Sequence, residues 1–327
     1  MTGRTRLRIS WGLLAFAIVA RPLEGQTAGD RMTQIIPGTE VSFEMAFVPG
    51  GGFTMGSAES EPGRDPDEGP RRTVEVSPFW IGVHEVTHDV FAVFRNRRLD
   101  SDRTDIAGHL IDVDAVSRPS PPYEDPSHGM GQGDHPASGM TQWAALQFAR
   151  WLSEKTGRLY RLPTEAEWEM ACRAGSPGPR GGIETLSDHA WFADNGDEGH
   201  HPVGEKLPNA WGLHDMLGNV AEWTMDEYRA DFYAESGDGA RDPWARPTAT
   251  HPRTVRGGAF DDGPDELRCA DRLESTMRWK RRDPQIPKSR WWNTDSPHVG
   301  LRLVSPAGEW TLESIMEYWS TVLSGDG

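Results

Sequence analysis

RLPTEAEWEMACRAG, residues 161–175, carries the most definite local instruction in this chain. Thr164 and Glu167 form a T-x-x-E capping box, in which the threonine hydroxyl and the glutamate carboxylate each accept a backbone N–H at the start of a helix. Trp168, Met170, Ala171 and Cys172 continue that helix to Gly175. Just upstream, TQWAALQFARWLSEKT (141–156) places Trp143, Leu146, Ala149, Trp151 and Leu152 on a wide apolar stripe, and Gly157 ends it.

Outward from these two helices, alternation replaces helical spacing. VSFEMAFVPGGGFTM (41–55) predicts two strands joined by a glycine turn, and TVEVSPFWIGV (73–83) predicts another strand. Thr87 can cap a short helix with Val90, Phe91 and Phe94 on one face. Residues 98–133 lack periodicity and are rich in Asp, Ser, Pro and Gly, as expected of a long surface insertion. Residues 182–201 read as mixed loop with Trp191 and Phe192 buried. NAWGLHDMLGNVAEW (209–223) reads as a tight ordered loop turning at Gly212 and Gly218. RTVRGGAF (253–260) and HVGLRLV (298–304) predict a short strand and a closing strand. Residues 311–323 predict an amphipathic helix within a C-terminal tail of 306–327. There is no internal repeat, so one domain over 41–305 is the simplest organisation.

The 327 residues carry a net charge of −16, which disfavours non-specific nucleic-acid binding because that needs clustered Lys and Arg. Fourteen Trp argue against disorder, since each buried aromatic removes roughly 150–250 Å² from water. Gly at 36 and Pro at 25 predict a loop-rich fold. Arg4, Arg6 and Arg8 precede the apolar run WGLLAFAIVA (11–20), and small residues follow. That pattern reads as a secretory signal peptide over residues 1–28, its apolar run being too short for a bilayer span of roughly 20 residues, with an uncleaved membrane anchor as the competing reading. The expected location is periplasmic or secreted, with no stable membrane span after cleavage. Cys172 and Cys269 are the only cysteines. In an exported protein they most simply make one disulfide, with a reactive thiol pair as the competing reading.

FVPGGGFTMGS (47–57), HPASGMTQWAALQFARWL (135–152), RLPTEAEWEMACRAG (161–175), NAWGLHDMLGNVAEW (209–223), VRGGAF (255–260) and GLRLV (300–304) follow one another in an order and spacing that resembles the formylglycine-generating enzyme, or sulfatase-modifying factor, family. The resemblance implies a loop-rich α+β fold related to C-type lectin folds. It also implies that Cys172 and Cys269 form a structural disulfide, and that Asp215, Gly218, Val220 and Glu222 bind calcium. Hard Ca²⁺ takes six to eight oxygens, so carboxylates at Asp215 and Glu222 with carbonyls at Gly218 and Val220 suit it. A second family calcium site would fall near His189 to Asp197, where Asp194, Asn195 and Asp197 offer oxygens but a carboxamide near His189 is missing.

The resemblance breaks at the catalytic strand. Active members carry two cysteines there that bind copper(I), which soft thiolates suit. Here the segment reads GGAFDDGPDELRCADR (257–272); Asp262 takes the first cysteine position and residues 263–267 hold no cysteine. Carboxylates cannot replace two thiolates at copper(I), so the family's oxidation is not expected. Asp261, Asp262, Asp265 and Glu266 with His298 could instead form a hard-metal or acid/base site, and Arg272 could clamp a carboxylate or peptide carbonyl. The plainer reading is turn chemistry in DDGPDE. An iron site would need two His and a carboxylate; His189, His200, His201 and His214 show no such spacing, and surface histidine is the simpler expectation. Trp279, Trp291 and Trp292 among Arg and Lys suit either glycan or peptide stacking or core packing.

The expected function is therefore an exported binding or accessory module, or a divergent oxidase. A metal-dependent oxidase of a protein cysteine or small molecule and a lectin-like envelope binder are the alternatives. A protein or peptide partner fits the first.

Overall fold

A computed structural model describes residues 25–100, 103–106, 109–112, 117–122 and 124–323. Residues 1–24, most of the expected signal peptide, lie outside the described residues. Among the described residues, no helix is long and apolar enough to cross a membrane.

In chain order the elements are β1 (Arg31–Ile35), β2 (Ser42–Val48), β3 (Gly51–Met55), β4 (Arg72–Val76), β5 (Phe79–Gly82), α1 (His88–Arg95), β6 (Arg103–Ile106), β7 (His109–Asp112), α2 (Gln142–Thr156) and α3 (Glu165–Arg173). They continue with α4 (Leu186–His189), β8 (Ala221–Glu227), α5 (Phe232–Ser236), β9 (Ala240–Arg241), β10 (Arg253–Arg256), β11 (Leu273–Glu274), β12 (Val299–Gly300), β13 (Val304–Pro306) and α6 (Leu312–Leu323). The sheets run β1-β2-β5-β13, β11-β10-β8-β12, β3-β4-β9 and β6-β7. This is an α+β arrangement with long connections.

The capping boxes and stripes act as read. The Thr164 hydroxyl accepts from the Glu167 amide at 3.3 Å, and the Glu167 carboxylate accepts from the Thr164 amide at 2.9 Å. Arg161 forks onto the same carboxylate at 2.6 and 2.7 Å, fixing the first turn of α3. Thr141 caps α2 and Gly157 ends it at φ 69°, where glycine carries no steric cost.

The second sheet divides the core because strand side chains alternate. Trp223, Met225 and Val255 point into the cluster that holds α2. Glu222, Asp226, Thr254 and Arg256 point the other way, onto α3. The tail helix docks in cis: Ile315 and Trp319 are buried, and the Trp319 indole N–H donates to Ser153 Oγ at 3.2 Å.

Three expected strand units separate in space. β2 and β3 belong to different sheets, so the glycine turn joins sheets and closes no hairpin. A Cβ at Gly50 would lie 2.5 Å from the Val76 carbonyl oxygen, so only glycine permits the crossover there. Residues 73–83 split at Ser77-Pro78 into β4 and β5, and HVGLRLV splits into β12 and β13. Each pair serves two sheets. The aromatic segment resolves toward packing: Trp279 and Trp292 are buried, with Trp279 edge-on to Trp223 at 5.5 Å.

Candidate functional site

The turn after β10 occupies the place where the resemblance puts copper cysteines. Asp262 closes that turn on itself: its Oδ2 accepts the Ala259 amide at 2.9 Å, and its backbone carbonyl accepts the Ala193 amide at 3.0 Å. Burial pushes its carboxyl up to about 6, helped by the neighbouring Asp261 and Glu266 charges and opposed by the Ala259 N–H. His298 feels the charge of Asp261 as well. Burial lowers its pKa while the charge of Asp261 opposes the shift, and Trp279 meets its ring edge-on at 5.8 Å. The group has one half-buried acid held by its own turn and one imidazole whose protonation burial disfavours.

Arg272 does not join them. It is 7% exposed and points into the core, forking onto Glu165 at 2.7 and 2.9 Å and donating to the Asp67 carbonyl at 2.9 Å. Its expected role as a cleft clamp is corrected: the guanidinium is fully used inside. Burial opposes ionisation of Glu165, but Arg272 and then Arg256 outweigh it and hold the carboxyl below its usual range. Beside this pair, Glu169 accepts from Arg173 at 2.7 Å and from Arg256 at 2.7 Å. The spacing Glu165, Glu169, Arg173 puts all three on one face of α3. Arg268 forms a parallel fork onto Glu68, at 2.7 and 2.6 Å, beside Asp271. Asp65, Glu68 and Asp271 bring carboxylate oxygens within 4.8 Å of one another, a cluster with the shape of a cation site; Arg268 already supplies positive charge there.

Cys172, in the last turn of α3, is bonded to Cys269, and both are buried. Among the described residues no cysteine is free.

The 215–222 loop leads into β8 beside β12 and is organised by Arg302, which lies between β12 and β13. Glu222 receives the Arg302 Nε at 2.9 Å and the Trp168 indole N–H at 2.8 Å. Asp215, at φ 54°, accepts the Gly204 amide at 2.7 Å through Oδ2. Its Oδ1 is buried and accepts nothing, and neither does Oε2 of the fully buried Glu85. Asn219 Nδ2 donates to the other Glu85 oxygen at 3.1 Å. Burial pushes Asp215 up to about 6 and Glu85 well above the carboxylate range, where the Asp215 charge adds to the effect. Three buried carboxyls therefore face one guanidinium. At Gly218, φ 79°, a Cβ would fall 2.1 Å from the Trp191 carbonyl oxygen, so the loop closes only on glycine.

In the second expected calcium segment, Asn195 serves its own turn, accepting the Phe192 amide at 2.9 Å and donating to the Ala190 carbonyl at 3.0 Å. Asp194 and Asp197 are exposed. His200 corrects the expectation of surface histidine: it is 2% exposed, its Nδ1 lies 3.1 Å from Nδ1 of His135, and burial drives its pKa down to about 4. His189 is half-buried with its Nδ1 3.1 Å from the Thr185 carbonyl, His201 stacks on Trp191 at 3.8 Å, and His214 hydrogen-bonds the Lys206 carbonyl at 2.8 Å.

Glu85 and Arg302 were missed by sequence reasoning. Arg302 had a signal: a single charge inside the apolar run GLRLV must find a buried partner. Glu85 had none, because its neighbours in HEVT give no hint of which face it takes.

The profile of the sulfatase-modifying factor enzyme 1-like domain matches residues 36–286. The formylglycine-generating enzyme of Thermomonospora curvata is 31% identical over 260 residues, covering 68% of this chain and 84% of that protein. The mouse protein named inactive C-alpha-formylglycine-generating enzyme 2 is 31% identical over 268 residues, covering 69% and 85%. The serine/threonine-protein kinase Pkn1 of Chlamydia trachomatis is 32% identical over 234 residues, which is 70% of this chain and 35% of that protein, so the chain spans about a third of its length. Among solved structures, PvdO from Pseudomonas aeruginosa superposes with a TM-score of 0.63 at 27% identity, covering 86% of this chain and 99% of that one.

Proposed function

Because the chain belongs to the sulfatase-modifying factor family, we propose that it is an exported binding or accessory module of that family with the copper oxidase chemistry lost. One observation carries this reading. The position that the resemblance gives to a copper-binding cysteine is Asp262, whose carboxylate is spent on the Ala259 amide, and both cysteines of the chain are bonded to each other. Copper(I) favours soft sulfur donors, and this donor set is carboxylate and imidazole. The similarity to a mouse protein named inactive supports the same reading. The buried disulfide supports export, since such bonds persist in oxidising compartments.

The test is direct. Purified protein incubated with a CxPxR sulfatase peptide, copper and oxygen is expected to yield no aldehyde by mass spectrometry. Aldehyde at catalytic turnover sinks the reading.

Calcium belongs to the same proposal. Asp215 Oδ1 and Glu85 Oε2 accept no hydrogen bond, the latter lying 3.9 Å from the Arg302 guanidinium, so a hard cation would satisfy them, and Asp215 with the carbonyls of Gly218 and Val220 would hold it. Glu222 would orient the loop through Arg302. At a hundredfold excess over Kd, a bound ion stabilises by about 2.7 kcal/mol. Calcium is therefore expected to raise Tm by several degrees over protein kept in EGTA. An unchanged Tm with no calcium by elemental analysis refutes it, and Glu85 and Asp215 then share a proton.

A further inference from the structure

β3 is an edge strand, paired with β4 on one side only. Against it lies a cavity of about 420 Å³, lined among the described residues by Gly52, Phe53 and Thr54 of β3, by Met170 and Trp211, and by Arg71, which directly precedes β4. No residue of the 259–262 turn lines it. Within β3 itself the edge carries no proline and no charged side chain, two of the devices that normally blunt an exposed strand. Gly51 and Gly52 leave it bare: a Cβ at Gly51 would meet nothing within 4 Å, and at Gly52 only the Val74 carbonyl oxygen at 3.9 Å. Beyond its ladder with β4, the β3 backbone makes no hydrogen bond among the described residues until Gly56, whose amide donates to Glu169 at 2.8 Å.

The cavity walls add side-chain preferences. Phe53 and Trp211 are half-buried and Met170 is buried, so they present apolar surface. The charged side chains at the rim differ in their commitments. Glu61 is paired with Arg268 at 3.2 Å, and Arg173 with Glu169 at 2.7 Å. Arg71 has no ion-pair partner among the described residues and stands exposed at the rim. In a protein of net charge −16 that is an uncommitted cation beside an uncommitted strand edge.

We propose that this groove captures an extended acidic peptide, which adds to β3 as a further strand, sets an apolar side chain between Phe53 and Trp211, and pairs a carboxylate with Arg71. Main-chain hydrogen bonds would supply affinity and the two side-chain contacts selectivity, as in strand addition generally. The proposal rests on the reading of the chain as a binding module and names the partner chemistry for it.

The experiment selects a phage-displayed library of random linear octapeptides on the purified full chain. Enriched peptides are expected to combine an apolar residue with Asp or Glu and to protect the amides of residues 51–55 from hydrogen exchange. Arg71→Glu, at an exposed site, and Gly52→Val, which fills the cavity at a strand position with room for a Cβ, are each expected to weaken binding at least tenfold. Unchanged melting temperatures for both variants keep the comparison clean. Two results overturn the groove: no enrichment, or peptides that bind both variants as well as the parent and leave 51–55 unprotected. Peptides bound elsewhere would leave the module reading standing, whereas aldehyde formation on the sulfatase peptide removes that reading whatever the groove does.

Discussion

Arg256→Met is expected to lower the unfolding free energy by about 3–5 kcal/mol, the usual cost of removing one partner from a buried ion pair. Arg256 is 1% exposed and sits where three segments meet. Its Nη2 reaches Glu169 at 2.7 Å and the Cys269 carbonyl at 3.1 Å, and its Nη1 donates to the carbonyls of Ala270 and Asp271. Methionine keeps much of the volume but supplies no donor. Glu169 would keep Arg173, so the larger part of the loss comes from the carbonyls of the buried residues 269–271, left without their donor. Urea denaturation reads the effect as a lower midpoint at unchanged slope. A loss below about 1 kcal/mol would show that the network is replaceable and refute the argument.

The second large effect is the disulfide. Cys172–Cys269 closes a loop of 97 residues. In the chain-entropy model a loop of that size restricts the unfolded state by about 4–5 kcal/mol. The double variant Cys172→Ser, Cys269→Ser is expected to lose an amount of that order in urea, and the folded parent to show no titratable thiol until it is unfolded and reduced. Two thiols reacting in the folded, non-reduced protein would falsify the bridge. Because Arg256 grips the carbonyl of Cys269 itself, the two perturbations share a segment. Their combination is expected to cost less than the sum, a coupling that a double-mutant cycle measures. Additivity within error would mean that bridge and guanidinium hold the segment independently.

These two tests concern the scaffold, and that is where the chemistry of the chain is concentrated. The residues at the expected catalytic strand serve only local roles: Asp262 closes its own turn, and burial disfavours protonation of His298. By contrast Arg161, Arg268, Arg272 and Arg302 each fork onto a carboxylate in the interior or at its edge, and Arg256 joins Glu169 to three backbone carbonyls. A loop-rich fold with short strands has few ladders to fix its connections. Buried guanidinium forks onto carboxylates and backbone carbonyls do that work here, each able to hold two or three segments at once.

What the sequence determined by itself was local or came with its motifs. Thr164 and Glu167 capped α3, Thr141 and Gly157 bounded α2, and six ordered motifs indicated the family, because each rests on residues a few positions apart. The splitting of TVEVSPFWIGV and HVGLRLV between sheets was not legible, since alternation gives a strand's faces and says nothing of its neighbours. Nor was the fate of Arg272, which the motif placed at a cleft and the fold turned onto Glu165, 107 positions away in sequence. The trio of Glu85, Asp215 and Glu222 around Arg302 exists only because the link between β12 and β13, the 215–222 loop and the chain before α1 converge. A buried charge takes its partner from whatever the packing brings within 3 Å, and only the tertiary structure decides that.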